Sequence, residues 1–469
     1  MSRALQYDGV NMNGKAKRSY CSSNLFFIRI VILISSLVLV ISPSYIREVN
    51  ASGQNLIIVN AKDDLDDGSC DSTHCSLREA INSSNNHQGP DKITFDPQVF
   101  PSHEPGIIEI MTGGWELVNS ETTIDASGAG VIIDGSNSLG EANGFIIRSS
   151  GNTIRGIRLE NIPNVAVLIG EIRLENFEIY DNTIDNVTVV NSGYGISGLG
   201  RGDGMWIMAY CQGCKATRNT IVNCRIENGA DDGIEVWSYA GGVVDDNFVV
   251  GNTLLNNAEV GIEIDVHGPG GSTNRNTVAY NLVTGTKEQA GIYINPWQGG
   301  SANGNLIYKN TVVDNTQIGI GIGPGGSGTT ANDNKIINNA IEQHDYYEIV
   351  VGAGDFAEAV GNLIIGNTIT GTGATDFARG ITLYSNSNFV FLNSIVNKLY
   401  TGQDEGSNNH WDFNGQGNYW SDYTGLDENG DGIGDTPYPV PTNGVDNYPL
   451  MAPYTYKMIY LPVVLHSDP

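Results

Sequence analysis

The sequence predicts an all-β solenoid, a parallel β-helix built from coils of about 29 residues. Two observations predict it: an Asn-x4-Asn marker that recurs along the chain, and a Gly-Ile marker that follows most copies by 14 or 15 residues. The glycine content, 59 of 469 residues, suits a fold with many tight corners. Helical solenoids need apolar residues spaced by three and four, and that spacing is absent.

The first asparagine of the Asn-x4-Asn marker recurs at steps of 28 or 29 residues. Asparagines at equivalent corners of stacked coils can hydrogen-bond to one another, so we expect a ladder of asparagine side chains. In the first copy, Cys224 takes the place of the second asparagine. The copies begin at Asn219, Asn247, Asn276, Asn305, Asn334 and Asn362.

Each Gly-Ile marker opens a short alternating run, such as Gly-Ile-Glu-Val-Trp from Gly233 to Trp237. Alternation with period two indicates a strand with one buried face. We therefore expect two strands per coil, one at each marker, in coils that stack about 4.8 Å apart.

An N-terminal capping helix is predicted before the repeats. Ser76 can cap it, with Glu79 three residues later as in a capping box. Such a helix would cover the open edge of the first coil. We divide the chain into an N-terminal cap and first coils (52–125), the repeats (126–405) and an irregular C-terminal cap (406–469). The apolar tail, Tyr460 to Leu465, is either a last edge strand or a sorting tag.

Residues 1–51 have the features of a signal peptide. A basic stretch with Lys15, Lys17 and Arg18 precedes an apolar stretch over residues 25–41. The alternative is a retained anchor, but the unbroken apolar run, 30–41, is short for a span of about 20 residues. We therefore expect cleavage, no stable membrane span afterwards, and a secreted or cell-surface protein, periplasmic in a Gram-negative host.

The charge of the chain is strongly negative. Residues 1–51 hold six of its 24 basic residues and two of its 52 acidic ones, so the remainder has 18 basic and 50 acidic residues, a net charge of −32. Such a surface repels phosphate backbones, so we expect no nucleic-acid partner. It also repels polyanionic glycans unless a cation bridges them.

Five cysteines follow residue 51. Cys70 and Cys75 share one polar loop, and we expect a disulfide between them in an exported chain. Cys211 and Cys214 could pair, with Cys224 packed inside as a small apolar residue, so their pairing stays open.

One outward stripe collects the candidate site residues. Alternation directs Glu235, Glu263 and Asp265 outward on two consecutive coils, and these are our candidate catalytic carboxylates. Carboxylates this close should raise at least one pKa and supply a general acid. Aromatic and polar neighbours on the stripe form the candidate sugar-binding set: Trp206, Trp237, His267, Tyr293, Asn295 and Trp297. Gly321 and Gly323 on the next coil should open space beside it.

The C-terminal region contains a candidate calcium loop. Asp427, Asn429, Asp431 and Asp435 occupy positions 1, 3, 5 and 9, with the Ile433 carbonyl expected at position 7. Tyr438 stands where the usual bidentate Glu would be, so further ligands would have to come from Asp422 or Asp446. We expect a structural calcium ion that ties down the cap.

Three segments carry a resemblance to known proteins. The stretch from Asp66 to Ile81 resembles the N-terminal cap of secreted bacterial right-handed parallel β-helix proteins, and the repeats over 145–400 resemble coils of the pectate-lyase-like superfamily. Gly417 to Leu450 is similar to the C-terminal end of the NosD-like and carbohydrate-binding sugar-hydrolase group. The resemblance implies a right-handed helix and export. It leaves the reaction open, because the superfamily contains lyases, hydrolases, epimerases, adhesins and a copper-maturation factor.

The stripe favours binding of an extracellular polysaccharide by the exported chain, which we expect to be a monomer, and it favours hydrolysis or binding alone over lyase chemistry. Lyases of the superfamily usually use Lys or Arg as the base, and no basic residue alternates outward here, with Arg201 and Lys287 as loop candidates. Asp231-Asp232-Gly233 resembles the aspartate pair of polygalacturonase-type hydrolases, although Asp before Gly is also common at corners. The alternatives are a non-catalytic glycan-binding surface or matrix protein and a NosD-like metal-maturation factor. Copper would need soft or imidazole ligands, and the histidines are scattered.

Overall fold

The computed structural model describes residues 54–455, apart from 139, 141, 172–175, 195–201 and 372–377. The expected signal peptide, the tail from Tyr460 to Leu465 and Arg201 therefore lie outside the described residues. Within the described part, the chain winds into a parallel solenoid with three long sheets, here called A, B and C. The all-β solenoid predicted from the sequence is confirmed.

Sheets A and B have twelve strands each, and sheet C has eleven. Sheet A consists of Asn55–Val59, Asp91–Phe95, Thr122–Asp125, Thr153–Arg155, Thr183–Asp185, Thr220–Val222, Phe248–Val250, Thr277–Ala279, Leu306–Tyr308, Lys335–Ile337, Leu363–Ile365 and Phe389–Phe391. Sheet B consists of Gly106–Glu109, Val131–Asp134, Arg158–Glu160, Thr188–Val190, Arg225–Glu227, Thr253–Leu255, Leu282–Thr284, Thr311–Val313, Ala340–Glu342, Thr368–Thr370, Ser394–Val396 and Tyr419–Trp420. Sheet C consists of Trp115–Leu117, Phe145–Ile147, Val167–Glu171, Met205–Ala209, Ile234–Tyr239, Val260–His267, Ala290–Trp297, Ile318–Ile322, Tyr347–Val351, Arg379–Leu383 and Tyr400–Asp404. Two small sheets pair Glu178–Tyr180 with Lys215–Thr217 in parallel, and Tyr438–Val440 with Gly444–Asp446 antiparallel.

Each regular coil contributes one strand to each long sheet, so it has three strands where the sequence predicted two. The Asn-x4-Asn marker contains the additional strand. Asn247 precedes the sheet A strand Phe248–Val250, Gly251 turns a corner with φ 68°, and Asn252 precedes the sheet B strand Thr253–Leu255. A three-residue strand is too short to show alternation, which is why the sequence did not separate the two.

The predicted asparagine ladder is confirmed, and there are two of them. In the first, the Asn276 backbone N–H donates to Asn305 Oδ1 at 2.8 Å, and Asn305 repeats this contact with Asn334. In the second, Asn281 donates in the same way to Asn310. Because these side chains are at most 1% exposed, the ladders satisfy buried backbone groups at two corners of every regular coil.

The helix Leu77–Asn86 caps the first coil. Ser76 and Glu79 form the expected capping box, with each side chain accepting from the backbone N–H of the other residue. The helix packs on the first strands of sheets A and C, where it covers the start of the solenoid. It is the one helix of the described ranges, and it is too short and polar to cross a membrane.

The C-terminal cap closes the other end with two buried tryptophans. Trp411 and Trp420 are each 1% exposed, and their ring N–H groups donate to Asp404 and Asp446 at 2.8 Å. Their carboxylate partners give these indoles the hydrogen bonds that burial demands.

Disulfides join Cys70 to Cys75 and Cys211 to Cys214. Cys224 is a buried free thiol whose backbone N–H donates to Asn252 Oδ1, in the ladder position assigned to it from the sequence.

Candidate active site on the outer face of sheet C

The stripe predicted from the sequence runs across the outer face of sheet C as three columns parallel to the solenoid axis. The inward positions between them carry Ile262, Ile264 and their equivalents, which are fully buried in the core. Alternation along each strand therefore forces the remaining side chains outward. The columns are Trp206, Glu235, Glu263 and Tyr293; then Met208, Trp237, Asp265 and Asn295; then Tyr239, His267 and Trp297.

The three candidate catalytic carboxylates meet on this face. Glu235, Glu263 and Asp265 each offer an oxygen, and these oxygens lie within 4.8 Å of one another. Although they point outward from the sheet, the residues are only 9%, 8% and 4% exposed. Asn295 donates to Glu263 Oε1 at 3.1 Å, and His267 Nε2 lies 3.0 Å from Asp265 Oδ2.

Four further carboxylates join them from the turns that precede the strands. Asp203, Asp231, Asp232 and Glu259 bring the cluster to seven acidic residues. Asp232 Oδ1 accepts from the Val260 N–H at 2.8 Å, so this carboxylate lies at the first residue of the next sheet C strand. We call these seven residues the acidic cluster.

Only two of the four turn residues were identified from the sequence. Asp231 and Asp232 were noted for their resemblance to an aspartate pair, and Asp203 and Glu259 were missed. The signal was present, because each of these acidic residues lies just before a sheet C strand: Asp203 and Asp232 directly precede a glycine, and Glu259 directly precedes Val260. Such an acidic residue is also ordinary corner chemistry, so the pattern alone did not separate the two.

Burial and mutual repulsion raise the pKa values in the acidic cluster. Burial first, and then the charge of Asp265, raise the pKa of Glu263 to about 8, although hydrogen bonds from Asp232 and Asn295 oppose the shift. Burial, with Asp203 and Glu263 nearby, raises the pKa of Glu235 well above its ordinary value. A carboxyl group of this kind stays protonated at neutral pH and can donate a proton.

Asp265 has three contacts that favour its charged form. Burial is the largest effect and leaves its pKa raised, but a hydrogen bond from His267, the charge of that imidazole and the Val266 N–H all act in the opposite direction. The contact with Asp265 in turn raises the pKa of His267. Among the ion pairs of the described residues, this is the one that involves the acidic cluster. Asp265 is therefore suited to act as a carboxylate beside a protonated Glu263.

Aromatic rings border the acidic cluster on one side. Trp237 lies 5.3 Å from Trp206 and 5.4 Å from Tyr239 between ring centroids, and Tyr210 stacks on Tyr239 at 4.7 Å. Tyr239 is 37% exposed, so the group reaches the surface. Tyr210 and Tyr239 were not predicted, although Tyr239 continues the alternation two residues beyond Trp237. We call Trp206, Tyr210, Trp237 and Tyr239 the aromatic platform.

Tyr293 and Trp297 lie over glycines of the next coil. A Cβ atom at Gly323 would lie 2.3 Å from Tyr293 Oη, and one at Gly325 would lie 1.6 Å from the Trp297 ring. The expected open space beside Gly321 and Gly323 is therefore wrong, because the Tyr293 ring fills it. Trp297 remains 44% exposed, and it adds an accessible ring to this face on the far side of His267.

Lys287, one of the two loop residues considered as a base, is exposed in the turn before the sheet C strand Ala290–Trp297. No ion pair that the described residues form connects it to the acidic cluster.

In the candidate calcium loop, the carboxylates accept hydrogen bonds from N–H groups of the loop itself. Asp427 accepts from the N–H groups of Gly430 and Gly432 at 2.7 and 2.9 Å, and Asp435 accepts from Glu428 at 2.6 Å. Asp431 accepts from the Ile433 N–H at 2.9 Å and from the Asn429 amide at 3.0 Å. The two reserve ligands are engaged elsewhere in the cap: Asp422 with Tyr438, and Asp446 with Trp420. Calcium binding here stays a prediction.

Comparisons with known proteins agree with the architecture. The model of the right-handed beta helix region matches residues 110–362. A probable ABC transporter binding protein NosD of Pseudomonas aeruginosa is 33% identical over 101 residues, which cover 21% of this chain and 23% of that protein. The chain thus matches about a quarter of the length of that relative.

The chain also aligns with three solved structures at low identity. The Geobacillus virus E2 protein ORF18 is 12% identical, with a TM-score of 0.49 over 90% of this chain and 71% of that one. A periplasmic alginate epimerase is 15% identical, with a TM-score of 0.41 over 74% and 71% of the two chains. An exopolygalacturonase from Thermotoga maritima is 13% identical, with a TM-score of 0.40 over 70% and 90%. No substrate follows from likenesses at this level.

Proposed function

Since the chain belongs to the right-handed β-helix family, we propose that sheet C of its solenoid binds a polysaccharide outside the cytoplasm and hydrolyses it. The observation that carries the proposal is the meeting of Glu235, Glu263 and Asp265, whose oxygens lie within 4.8 Å beside the aromatic platform. Aromatic faces stack on sugar rings, and paired carboxyl groups of different protonation state cleave glycosidic bonds. Export is part of the proposal and rests on the expected signal peptide.

Within this proposal, Glu263 is the general acid and Asp265 is the anionic partner. Burial keeps Glu263 protonated with a pKa of about 8, so it donates its proton to the glycosidic oxygen as the bond breaks. Asp265 is held by His267 and the Val266 N–H. It attacks the sugar carbon of the breaking bond or stabilises the positive charge that develops on the sugar.

The short separation favours retention of configuration. Retaining enzymes hold their two carboxyl groups about 5–5.5 Å apart, whereas inverting enzymes leave about 6.5–9.5 Å for a water molecule. One oxygen of Glu263 lies within 4.8 Å of one oxygen of Asp265, which is compatible with the shorter spacing. Water would then hydrolyse a glycosyl intermediate on Asp265, with Glu263 accepting its proton.

The charge of the site favours a neutral glycan. A polyuronate would bring further carboxylates to a cluster whose raised pKa values show that negative charge is already unfavourable there. Among the ion pairs of the described residues, only His267 adds positive charge to this cluster. A neutral chain can use the aromatic platform without that repulsion.

The test is a panel of neutral and uronate glycans, assayed for reducing ends with and without a chelator. Glu263→Gln should abolish release while retaining the bound glycan in affinity electrophoresis. Glu342→Gln on the outer face of sheet B is the matched control and should keep full activity. Release of unsaturated products would indicate a lyase instead. If glycans retard the protein in electrophoresis but no glycan yields reducing ends, the function is binding alone.

The metal-maturation alternative gains its support from the partial match to NosD. The metal-binding groups among the described residues consist of carboxylates, with His74 as their one imidazole. Hard oxygen ligands do not suit copper. Absence of copper binding at micromolar protein would exclude this function.

A further inference from the structure

The loop that leads into the capping helix brings an imidazole and several carboxylates together. His74 lies in the loop that the Cys70–Cys75 disulfide closes, and Glu79 lies in the first turn of the helix. Asp67 precedes the loop. One possible ligand atom from each of Asp67, His74 and Glu79 lies within 4.8 Å of the other two. The group belongs to the N-terminal cap and shares no residue with the acidic cluster.

The ring atom Nδ1 of His74 faces two of these carboxylates. It lies 3.0 Å from Glu79 Oε2 and 3.7 Å from Asp67 Oδ2. Zinc binds imidazole nitrogen and carboxylate oxygen at about 2.0–2.2 Å, so ligand atoms around a tetrahedral ion lie roughly 3.3–3.6 Å apart. The two separations in this loop lie on either side of that range. The three atoms are therefore spaced as ligands of one zinc ion are.

The hydrogen bonds of the His74 ring leave Nδ1 without a partner. Nε2 donates to Asp63 Oδ1 at 3.1 Å, because an ionised carboxylate can only accept. Nδ1 is buried, and it makes no hydrogen bond with any described residue, although Glu79 Oε2 is only 3.0 Å away. A lone pair on Nδ1 that faces two carboxylates is repelled by both of them. A bound cation removes this repulsion and gives the buried nitrogen the partner that it lacks.

Backbone N–H groups hold the two carboxylates in place. Glu79 accepts from the N–H groups of Asp67 and Ser76, each at 2.8 Å, one at each of its oxygens. Asp67 Oδ1 accepts from the Ser69 N–H at 3.1 Å, while its Oδ2 is the oxygen nearer to His74. Each carboxylate oxygen has a further lone pair for a metal ion. The ligand atoms are therefore positioned by contacts that a metal ion would not have to break.

We propose that Asp67, His74 and Glu79 bind a zinc ion that ties the disulfide loop to the capping helix. One imidazole nitrogen and two carboxylate oxygens suit zinc, with water at the fourth position, whereas calcium takes oxygen ligands. Asp63 orients the His74 ring through Nε2, as carboxylates commonly do behind histidine ligands of zinc. The Glu79 side chain is 1% exposed and that of Asp67 is 58% exposed, so the ion enters from the side of Asp67.

The test is calorimetric titration of zinc into the full chain after treatment with a chelator. One zinc ion should bind per chain with a micromolar or lower dissociation constant, and it should raise the melting temperature. His74→Gln should abolish this binding, because it removes the nitrogen ligand. Asp63→Ala should weaken it by about 10- to 100-fold, since the ring loses the carboxylate that orients it. His103→Gln, at an exposed position outside the loop, is the matched control and should bind zinc as the wild-type chain does.

Two kinds of further variant assign the zinc to this loop. Asp67→Asn changes an exposed ligand that takes no part in the capping box with its side chain, so it should fold and still weaken zinc binding. It decides the question if His74→Gln does not fold. Asp431→Asn in the C-terminal loop and Glu263→Gln in the acidic cluster should leave the zinc affinity unchanged.

Two results would overturn the proposal. The first is a wild-type chain that binds no zinc at micromolar concentrations. The second is equal zinc affinity in the wild-type chain, His74→Gln and Asp67→Asn, which would place the ion elsewhere. In both cases a proton would take the place of the metal. Burial lowers the pKa of His74, but Asp63, Glu79 and Asp67 raise it by more, so the ring would then be an imidazolium held by these carboxylates.

Discussion

The side-chain amide of Asn295 donates a hydrogen bond to Glu263 on the preceding coil, with Nδ2 and Oε1 3.1 Å apart. Asn295 stands directly beside Asp265 in the strand register, so it neighbours both residues that we propose as catalytic. This bond favours the charged form of Glu263 and so lowers its pKa, against the burial that raises it. The Asn295 amide therefore limits how far burial raises the pKa of Glu263.

Asn295→Leu should shift the alkaline limb of the pH–activity profile to higher pH. Loss of the donor removes one stabilising contact with charged Glu263, so the carboxyl group keeps its proton over a wider range. Loss of a hydrogen bond to a charged group should cost about tenfold in kcat/KM, equivalent to about 1.4 kcal/mol. Gln403→Leu, farther along sheet C, is the control and should leave the profile in place. An unchanged profile in Asn295→Leu would show that Glu263 does not supply the proton.

The acidic cluster should make the protein less stable at alkaline pH. Burial raises the folded-state pKa of Glu263 from 4.5 to about 8. The folded protein then binds a proton that the unfolded chain releases, so the contribution to stability is complete below pH 4.5 and disappears as the pH rises through 8. The melting temperature should fall between pH 5 and pH 9. Glu263→Gln should flatten this slope, and Glu342→Gln should not.

The sequence was most informative where a position in the fold requires one particular residue type. Asn305 and Asn310 must each bridge two coils from a buried corner, so their spacing predicted the coil length and the ladders. Alternation likewise placed Glu235 and Glu263 on one outward column. It could not predict the contribution of Asp203 or Glu259, because these come from turns whose direction depends on how coils stack. Nor could it foresee that the Tyr293 ring would occupy the space over Gly323.

Trp237→Ala should weaken glycan binding about tenfold, equivalent to about 1.4 kcal/mol. Trp237 is the centre of the aromatic platform, in contact with Trp206, Tyr210 and Tyr239. Its removal takes away a stacking face and loosens the rings beside it. Tyr280→Ala removes an exposed ring far from sheet C, at the corner between sheets A and B, and is the control. Affinity electrophoresis compares the two, and equal retardation would place the glycan elsewhere.

Asn310→Ala should destabilise the solenoid by about 2–4 kcal/mol. The Asn310 amide donates to the Val278 carbonyl and to Asn339 Oδ1, and its oxygen accepts from Asn281. Alanine would leave these buried groups without partners. Asn137→Ala, at an exposed loop position, should change the free energy of unfolding by less than about 0.5 kcal/mol. Urea denaturation measures both, and similar values would show that the ladder contributes little.

Millimolar calcium should raise the melting temperature, and a chelator should reverse the change. An ion that binds only the folded state stabilises it by RT ln(1 + [L]/Kd), which is about 2.7 kcal/mol at one hundred times Kd. Asp431→Asn should remove most of the effect, because it takes a charged oxygen from position 5 of the loop. Asp345→Asn, an exposed acid on another coil, should keep it. The Asp427 carboxylate already accepts three backbone N–H groups, so calcium must compete with these contacts and the affinity should be modest. If calcium does not change the melting temperature of the wild-type chain, residues 427–435 form a turn that is held by its own hydrogen bonds and binds no calcium.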